Sequence, residues 1–204
     1  MLRVTAAVDV GHSLLLPIVR NYVKKYPKVN VDLVITNRIV DLVGEGIDIA
    51  FRAGDLEDSS LIARKFVTAD MKFWASPGFV KKNGLPTHPR EIAKFEFIRF
   101  SEAGAKFELV STKEKMTTTL TGRISSDDLD AIKLLTVAGD GIGLFPFFIC
   151  DEEVRKGKLV PVLPDWRYET GFFSLVYPAQ KFVSPKIQAF IEIALEQGKA
   201  CTKA

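Results

Sequence analysis

The sequence predicts an α/β fold that is divided between two β/α units. Residues 2–52 alternate between strand and helix patterns in the order β-α-β-α-β, which is typical of a parallel sheet covered by helices. In residues 129–146 an amphipathic helix runs into Gly139, and a short apolar strand follows and stops at Pro146. The 204 residues suffice for one or two small domains, and no apolar run approaches the ~20 residues of a membrane helix.

The first unit is expected to open with a strand at residues 2–6 and a helix at 14–26. Pro17 fits the first turn of that helix, where a missing N–H costs least, and Pro27 ends it. Residues 29–35 alternate apolar and polar side chains and predict the second strand.

A second helix is expected next, with Asn37 as its N-cap. Its inward-facing side chains would be Ile39, Leu42 and Val43. Gly44 and Gly46 would end it, residues 47–52 predict the third strand, and residues 53–60 predict a polar loop.

The remaining elements follow the same signals. They are strands at 61–66 and 71–75, helices at 78–83 and 91–94, a strand at 97–100, antiparallel strands at 107–110 and 117–121, a helix at 147–156, strands at 159–163 and 172–177, and a helix at 185–197. Residues 125–128 are expected to cap the helix that opens the 129–146 segment, and Ser184 to cap the last one. Positive φ is expected at both Gly139 and Gly141.

The last helix has no partner in its own half of the chain, so we expect it to pack on the first unit. The chain would then cross between two lobes twice, near residues 73–76 and 175–178. Lobe I would comprise 1–74 with 178–204, and lobe II would comprise 75–177. Ligands of open α/β sheets bind at the carboxyl ends of strands, so the groove between the lobes is the expected ligand cleft.

Charge and motifs argue against direct DNA contact and against catalysis. The net charge of +3 comes from lysines and arginines spread along the chain. Neither His12 nor His88 has ligand neighbours at metal spacing, and no nucleophile elbow, HExxH or phosphate loop is present. The glycines at 139–143 follow a helix and precede a strand, the reverse of a dinucleotide turn. We therefore expect no enzyme activity, no metal and no cofactor.

Short fragments along the whole chain carry a family resemblance. They are LRVTA at 2–6, LLP at 15–17, YP at 26–27, DLVGEGIDIAFR at 41–52, ASPGF at 75–79, GDGIGLFP at 139–146, GKLV at 157–160, LPDW at 163–166 and SPKIQAF at 184–190. Their order and spacing resemble the effector-binding domain of LysR-type transcriptional regulators. The resemblance implies a fold like the type 2 periplasmic binding proteins, with two Rossmann-like lobes joined by two crossing strands. It also implies a small-molecule inducer in the interlobe cleft.

The resemblance further implies partners and a location. These domains pair as homodimers or homotetramers, and DNA is bound only through an N-terminal winged helix-turn-helix that this chain does not include. The cytoplasm is the expected compartment, with no membrane association. Residues 14–26 of one copy would pair with residues 128–138 of another.

Candidate effector-binding residues follow from the family pattern and from predicted helix starts, where unpaired N–H groups favour an anion or a carbonyl oxygen. They are Val8, Asp9, Val10, Thr36, Asn37, Arg38, Phe100, Ser101, Ser126, Asp127, Pro146 and Phe147. Capping alone explains Thr36, Asn37 and Ser126 equally well. Arg38 and Arg99 are alternatively solvated or paired with Asp41 or Glu96, and Phe147 is alternatively core.

Acidic residues near these helix starts favour a polar effector that is not restricted to carboxylates. Two other functions remain open on the same architecture. One is a solute-binding protein of a transporter, which a secretory leader upstream would support. The other is an enzyme, which the missing acid–base or nucleophile constellation disfavours.

Overall fold

The structure is a computed structural model that describes residues 1–53, 60–104, 106–179 and 182–201. The strands are β1 (Leu2–Ala6), β2 (Val31–Ile35), β3 (Ile49–Ala53), β4 (Leu61–Thr68), β5 (Met71–Ala75), β6 (Phe97–Phe100), β7 (Lys106–Val110), β8 (Lys115–Thr119), β9 (Ile124–Ser126), β10 (Ile142–Pro146), β11 (Val160–Val162), β12 (Arg167–Tyr168) and β13 (Phe172–Pro178). The helices are α1 (Val8–Val10), α2 (Leu16–Lys25), α3 (Pro77–Asn83), α4 (Leu129–Ala138), α5 (Phe147–Arg155) and α6 (Pro185–Cys201). A π-helical segment, Gly11–Leu15, joins α1 to α2, and a 3-10 helix spans Pro89–Lys94.

The chain folds into two units. Unit 1 comprises Met1–Ala69 with Gly171–Ala204, and unit 2 comprises Asp70–Thr170. The crossings therefore lie earlier in the sequence than the expected boundaries at 74/75 and 177/178. The reason is strand pairing, because β5 pairs with β10 in unit 2 whereas the whole of β13 pairs with β3 and β4 in unit 1.

Unit 1 is built on a five-stranded sheet in the order β2-β1-β3-β13-β4. β1 runs parallel to β2 and to β3, while β13 is antiparallel to its two neighbours. Ala6, the last residue of β1, lies beside Ile35, the last residue of β2. The segments that follow these two strands therefore leave the sheet at one edge, its carboxyl edge.

The first helix begins six residues before its predicted start. Helical backbone begins at Val8 and runs through the π-helical segment into α2. Pro17 lies in the first turn of α2, as predicted, but the π-helical segment runs into that turn without a break. The ring of a proline clashes with the carbonyl four residues earlier in a regular helix, and the wider π turn just before Pro17 relieves that clash.

The predicted second helix is wrong: residues 37–46 contain turns and no helix. Asp41 Oδ1 accepts hydrogen bonds from the Val43 and Gly44 N–H groups, so the side chain takes over donors that helical bonds would use. Val40 and Leu42 are buried against the sheet, but Ile39 is 92% exposed. The predicted inward positions Ile39 and Val43 are therefore also wrong. Most of the predicted polar loop at 53–60 lies outside the described residues.

Unit 2 contains a larger sheet in the order β8-β7-β12-β5-β10-β6-β9, with β11 beside β5. β10, β6 and β9 are parallel, and β5 is antiparallel to β10. Phe73 and Phe97 pack on one face of this sheet, while Trp74 and Phe145 pack on the other with α4 and α5. Both faces are buried, which is the arrangement expected for parallel strands in an α/β unit.

In the glycine turn after α4, the predicted positive φ is confirmed at Gly139 and wrong at Gly141. Gly139 adopts the left-handed conformation with φ of 92°, and its N–H donates to the Leu135 carbonyl. Gly141 does not have positive φ. Position 141 needs a glycine because the Glu96 backbone approaches it closely: a Cβ there would lie 2.9 Å from the Glu96 carbonyl oxygen.

Smaller corrections concern the end of the chain. α6 extends to Cys201, past the predicted end at 197. Ser184 does not cap it through its side chain, since Ser184 Oγ is buried and has no hydrogen-bond partner among the described residues. The Ser184 carbonyl instead accepts from the Ile187 N–H. β12 was not predicted, because two residues are too few to show a periodicity.

None of the described helices combines the length and the apolar composition that crossing a bilayer requires.

Candidate functional site

In unit 1 the candidate residues collect at the carboxyl edge of β1 and β2. The Val8 N–H donates to Asn37 Oδ1 at 3.0 Å, and the Thr36 N–H donates to the Ala6 carbonyl at 2.9 Å. These two bonds hold the segment after β1 against the segment after β2. Asn37 thus bridges the two segments. The prediction that it caps a helix is wrong.

Val8, Asp9 and Val10 form the first helical turn of unit 1 and not a loop. Val10 is fully buried, so its side chain belongs to the core. Asp9 Oδ1 accepts from the Val10 N–H at 2.8 Å, an acidic side chain in the first turn where the helix dipole favours it. The accessible groups of this turn are therefore the half-buried Val8 and Asp9.

Thr36 and Arg38 do not lie at the start of a helix of their own, because residues 37–46 form turns. Thr36 Oγ1 accepts from the Arg38 N–H at 3.3 Å. The Arg38 guanidinium makes a two-pronged pair with Glu45, at 2.7 and 2.5 Å, which raises the pKa of Arg38 and lowers that of Glu45. The expected alternative partner, Asp41, is instead occupied by backbone N–H groups.

Arg52, at the carboxyl end of β3, is a residue that the sequence reasoning missed. It is half-buried, and no described residue forms an ion pair with it. Burial, with a contribution from the positive charge of Arg38, lowers the pKa of Arg52. The same reasoning that selected the residues after β1 and β2 would have found it, because β3 is also parallel to β1.

In unit 2 the candidate residues follow the three parallel strands β6, β9 and β10. The Ser101 N–H donates to the Ser126 carbonyl at 2.9 Å, which joins the ends of β6 and β9. Ser126 Oγ accepts from the Asp128 N–H at 3.1 Å, and Asp128 Oδ1 caps α4 by accepting from the Ala131 N–H at 2.8 Å. Ser101 and Asp127 remain exposed at this edge.

Pro146 and Phe147 end β10 and begin α5. Pro146 is buried, whereas Phe147 is half-buried and packs on Trp74 with ring centroids 6.0 Å apart. Trp74 is fixed in turn by its indole N–H, which donates to the Phe145 carbonyl at 3.0 Å. Phe147 thus packs in the core in part and stays partly accessible. Phe100, the last residue of β6, is likewise half-buried.

The predicted alternative pairing of Arg99 with Glu96 is wrong. Glu96 Oε1 is 2.9 Å from Arg123 Nε, and this pair lowers the pKa of Glu96. Arg99 Nε is buried and has no hydrogen-bond partner in the described part of the chain.

Two further features bear on what the described residues can bind. No group of three His, Cys, Asp or Glu side chains within them is placed to hold a metal ion. A small surface pocket is present in unit 1 near α6, away from the carboxyl edge, lined by Arg64, Tyr177, Val183, Gln188, Ile191 and Glu192.

Two α/β units whose polar side chains gather at the ends of parallel strands define a class of small-molecule-binding domains. The family model of the LysR substrate binding domain matches residues 1–199. The chain therefore belongs to the LysR substrate-binding domain family, as the sequence fragments had indicated.

Curated relatives point to the same family. The HTH-type transcriptional regulator PtxR of Pseudomonas aeruginosa is 30% identical over 195 residues, which is 94% of this chain and 62% of PtxR. The HTH-type transcriptional regulator CrgA of Neisseria meningitidis is 28% identical over 199 residues, which is 97% of this chain and 67% of CrgA. The chain thus spans about two thirds of the length of these relatives. They are transcriptional regulators and not transporter solute-binding proteins.

Solved structures confirm the fold. The regulatory domain of CrgA from Neisseria meningitidis superposes with a TM-score of 0.84 at 27% identity, covering 96% of this chain and 97% of that domain. Full-length AphB of Vibrio cholerae, a virulence activator of the same regulator family, gives a TM-score of 0.83 at 26% identity, covering 97% of this chain and 68% of AphB. The predicted α/β fold of the type 2 periplasmic-binding-protein class is therefore confirmed.

Proposed function

We propose that this chain is the effector-sensing domain of a DNA-binding regulator and that it binds a small polar molecule without converting it chemically. The observation that carries the proposal is the clustering of polar groups at the carboxyl edges of both sheets. In unit 1 these groups surround the Val8–Asn37 bond, and in unit 2 they surround the Ser101–Ser126 bond. Each unit therefore offers a set of polar groups to an effector at the carboxyl edge of its own sheet.

The mechanism follows from linkage. An effector changes DNA binding only if it binds one arrangement of the regulator better than another, and the free-energy difference sets the size of the response. The DNA-binding part would be an N-terminal winged helix-turn-helix in the longer protein, and the cytoplasm is the compartment that this role requires.

Self-association is the second part of the proposal. Leu16 and Val23 expose apolar surface on α2, at 41% and 36%, and Leu134 of α4 is 65% exposed. The domain would bury these side chains by pairing α2 of one copy with α4 of another, in a homodimer or homotetramer.

A ligand screen tests the effector role. Thermal unfolding of the purified chain would be followed with a panel of metabolites that includes acids, amines, sugars and apolar compounds. A ligand that binds only the folded state raises the midpoint by mass action. We expect a polar compound to do so. A clear preference for purely apolar compounds, or no stabilisation by any class, would contradict the proposal.

A further inference from the structure

Arg52 occupies a position in unit 1 that the proposed effector site has to include. Phe51 lies level with Ala6 of β1, so Arg52 reaches the edge at which the segments after β1 and β2 leave the sheet. Side chains two residues apart on a strand share a face, and Ala50 packs against the turn segment 37–46. Arg52 therefore stands on the face covered by the segment that carries Asn37.

The described carboxylates of that covering segment are already occupied. Glu45 pairs with Arg38 through both of its oxygens. Asp41 accepts from two backbone N–H groups of its own turn. Asp48, just before β3, is 3.2 Å from the amino group of Lys186 in α6. None of these groups compensates the positive charge of Arg52.

A half-buried guanidinium that no described carboxylate compensates is unfavourable, because partial burial removes water that would stabilise its charge. The depressed pKa of Arg52 has this origin, and the nearby charge of Arg38 adds to it. An anion bound at this position would stabilise the charged form.

The neighbouring groups are also donors. Asn37 Oδ1 is occupied by the Val8 N–H, so the exposed carboxamide of Asn37 offers its NH₂ group to a ligand. A guanidinium presents parallel N–H groups that match the two oxygens of a carboxylate.

We propose that Arg52 anchors a carboxylate of the effector, so that the effector class is small organic acids. The proposal rests on the proposed effector role and narrows the polar ligand expected from the sequence to an acid. Arg52 would act as a specificity-determining residue, distinguishing an acid from its neutral amide.

The test compares acids with their amides at constant ionic strength. Thermal unfolding of the chain is measured with acetate, succinate and citrate, each against its amide, for the wild type and for Arg52→Gln, Arg52→Lys and Arg90→Gln. We expect at least one acid to stabilise the wild type more than its amide, and Arg52→Gln to weaken its apparent affinity by ~10-fold or more. Arg52→Lys should retain part of the effect, and Arg90→Gln, at an exposed arginine of unit 2, should retain all of it.

Three results would overturn the proposal. The first is that none of the acids raises the unfolding midpoint of the wild type. The second is that an acid stabilises Arg52→Gln as much as the wild type, and the third is that each amide stabilises the wild type as much as its acid. If Arg52→Gln lowers only the ligand-free unfolding midpoint, Arg52 is a structural charge. A neutral compound that stabilises the wild type and Arg52→Gln alike would leave the effector role intact while excluding Arg52 from it.

Discussion

At the scale of single residues, side-chain oxygens at the strand ends of this domain serve the backbone first. Asn37, Ser126 and Asp128 each accept a backbone N–H and thereby fix a segment that leaves the sheet. A buried or half-buried N–H without a partner is costly, which explains why these side chains are used in this way. The groups left for an effector include the exposed Ser101 hydroxyl and the half-buried Arg52 guanidinium.

Burial lowers the reactivity of the Cys150 thiol. Its side chain is fully buried in unit 2, and burial, with a contribution from Glu153, raises the pKa of its thiol well above the ordinary value. Because the thiolate is the reactive form, we expect native Cys150 to react with a thiol reagent more than ~10-fold more slowly than the unfolded chain does.

The measurement would use a Cys201→Ser variant, so that Cys150 is the only thiol present. Reaction with Ellman's reagent would be timed in mildly alkaline buffer with and without denaturant. Equal rates in both conditions would show that the thiol is accessible and would contradict its burial.

At the scale of elements, strands and well-capped helices were predictable from local pattern, whereas segments governed by tertiary contacts were not. α4 is bounded by signals in its own sequence, Asp128 at its start and Gly139 at its end. Residues 37–46 carry a helical spacing of apolar side chains, yet Asn37 bonds to Val8, 29 residues away. A contact of that range leaves no local signal.

The residues of the candidate site also divide into those predictable from local sequence and those placed by tertiary contacts. The positions of Ser101 and Pro146 follow from predicted strands, which have a clear period. Ser126 follows instead from the capping pattern at 125–128, because the three-residue strand β9 that it ends was not predicted. The pairing of Arg38 with Glu45 was not predictable, because it depends on turns that replaced a predicted helix. Arg52 was missed because the candidate residues were chosen at predicted helix starts, whereas a polar loop is predicted after the strand that carries Arg52.

A half-buried lysine, Lys133, joins α4 to α5, and its substitution tests the packing of these two helices. Lys133 Nζ donates to the Ile149 carbonyl at 3.1 Å, lies 2.9 Å from Asp130, and its side chain is only 16% exposed. We expect Lys133→Met to lower the free energy of unfolding by about 1–3 kcal/mol, because both partners lose their donor. Urea unfolding near neutral pH measures the change.

The matched control is Lys115→Met. Lys115 pairs with Glu108 across the exposed β7–β8 hairpin and is 65% exposed, so its loss should change stability by less than about 0.5 kcal/mol. Similar losses in the two variants would mean that the Lys133 contacts contribute no more than a surface pair.

At the scale of the whole molecule, the proposed assembly depends on apolar side chains that a single copy leaves in water. We expect the wild type to sediment as a dimer or tetramer and Leu134→Lys to weaken association by ~10-fold or more, because a charge would enter the paired surface. Ile39→Lys is the control, since Ile39 is 92% exposed and lies outside α2 and α4. A monomeric wild type, or unchanged association in Leu134→Lys, would contradict the proposed pairing.

The central claim is that an effector binds at the carboxyl edges of the two sheets. Amide hydrogen exchange of the chain, with and without a stabilising compound from the ligand screen, tests this most directly. The account predicts slower exchange in peptides that contain residues 7–10, 36–38, 101 and 126–128, where N–H groups leave the strand ends. Protection confined to the unit 1 pocket at Arg64, Tyr177 and Gln188 would contradict it.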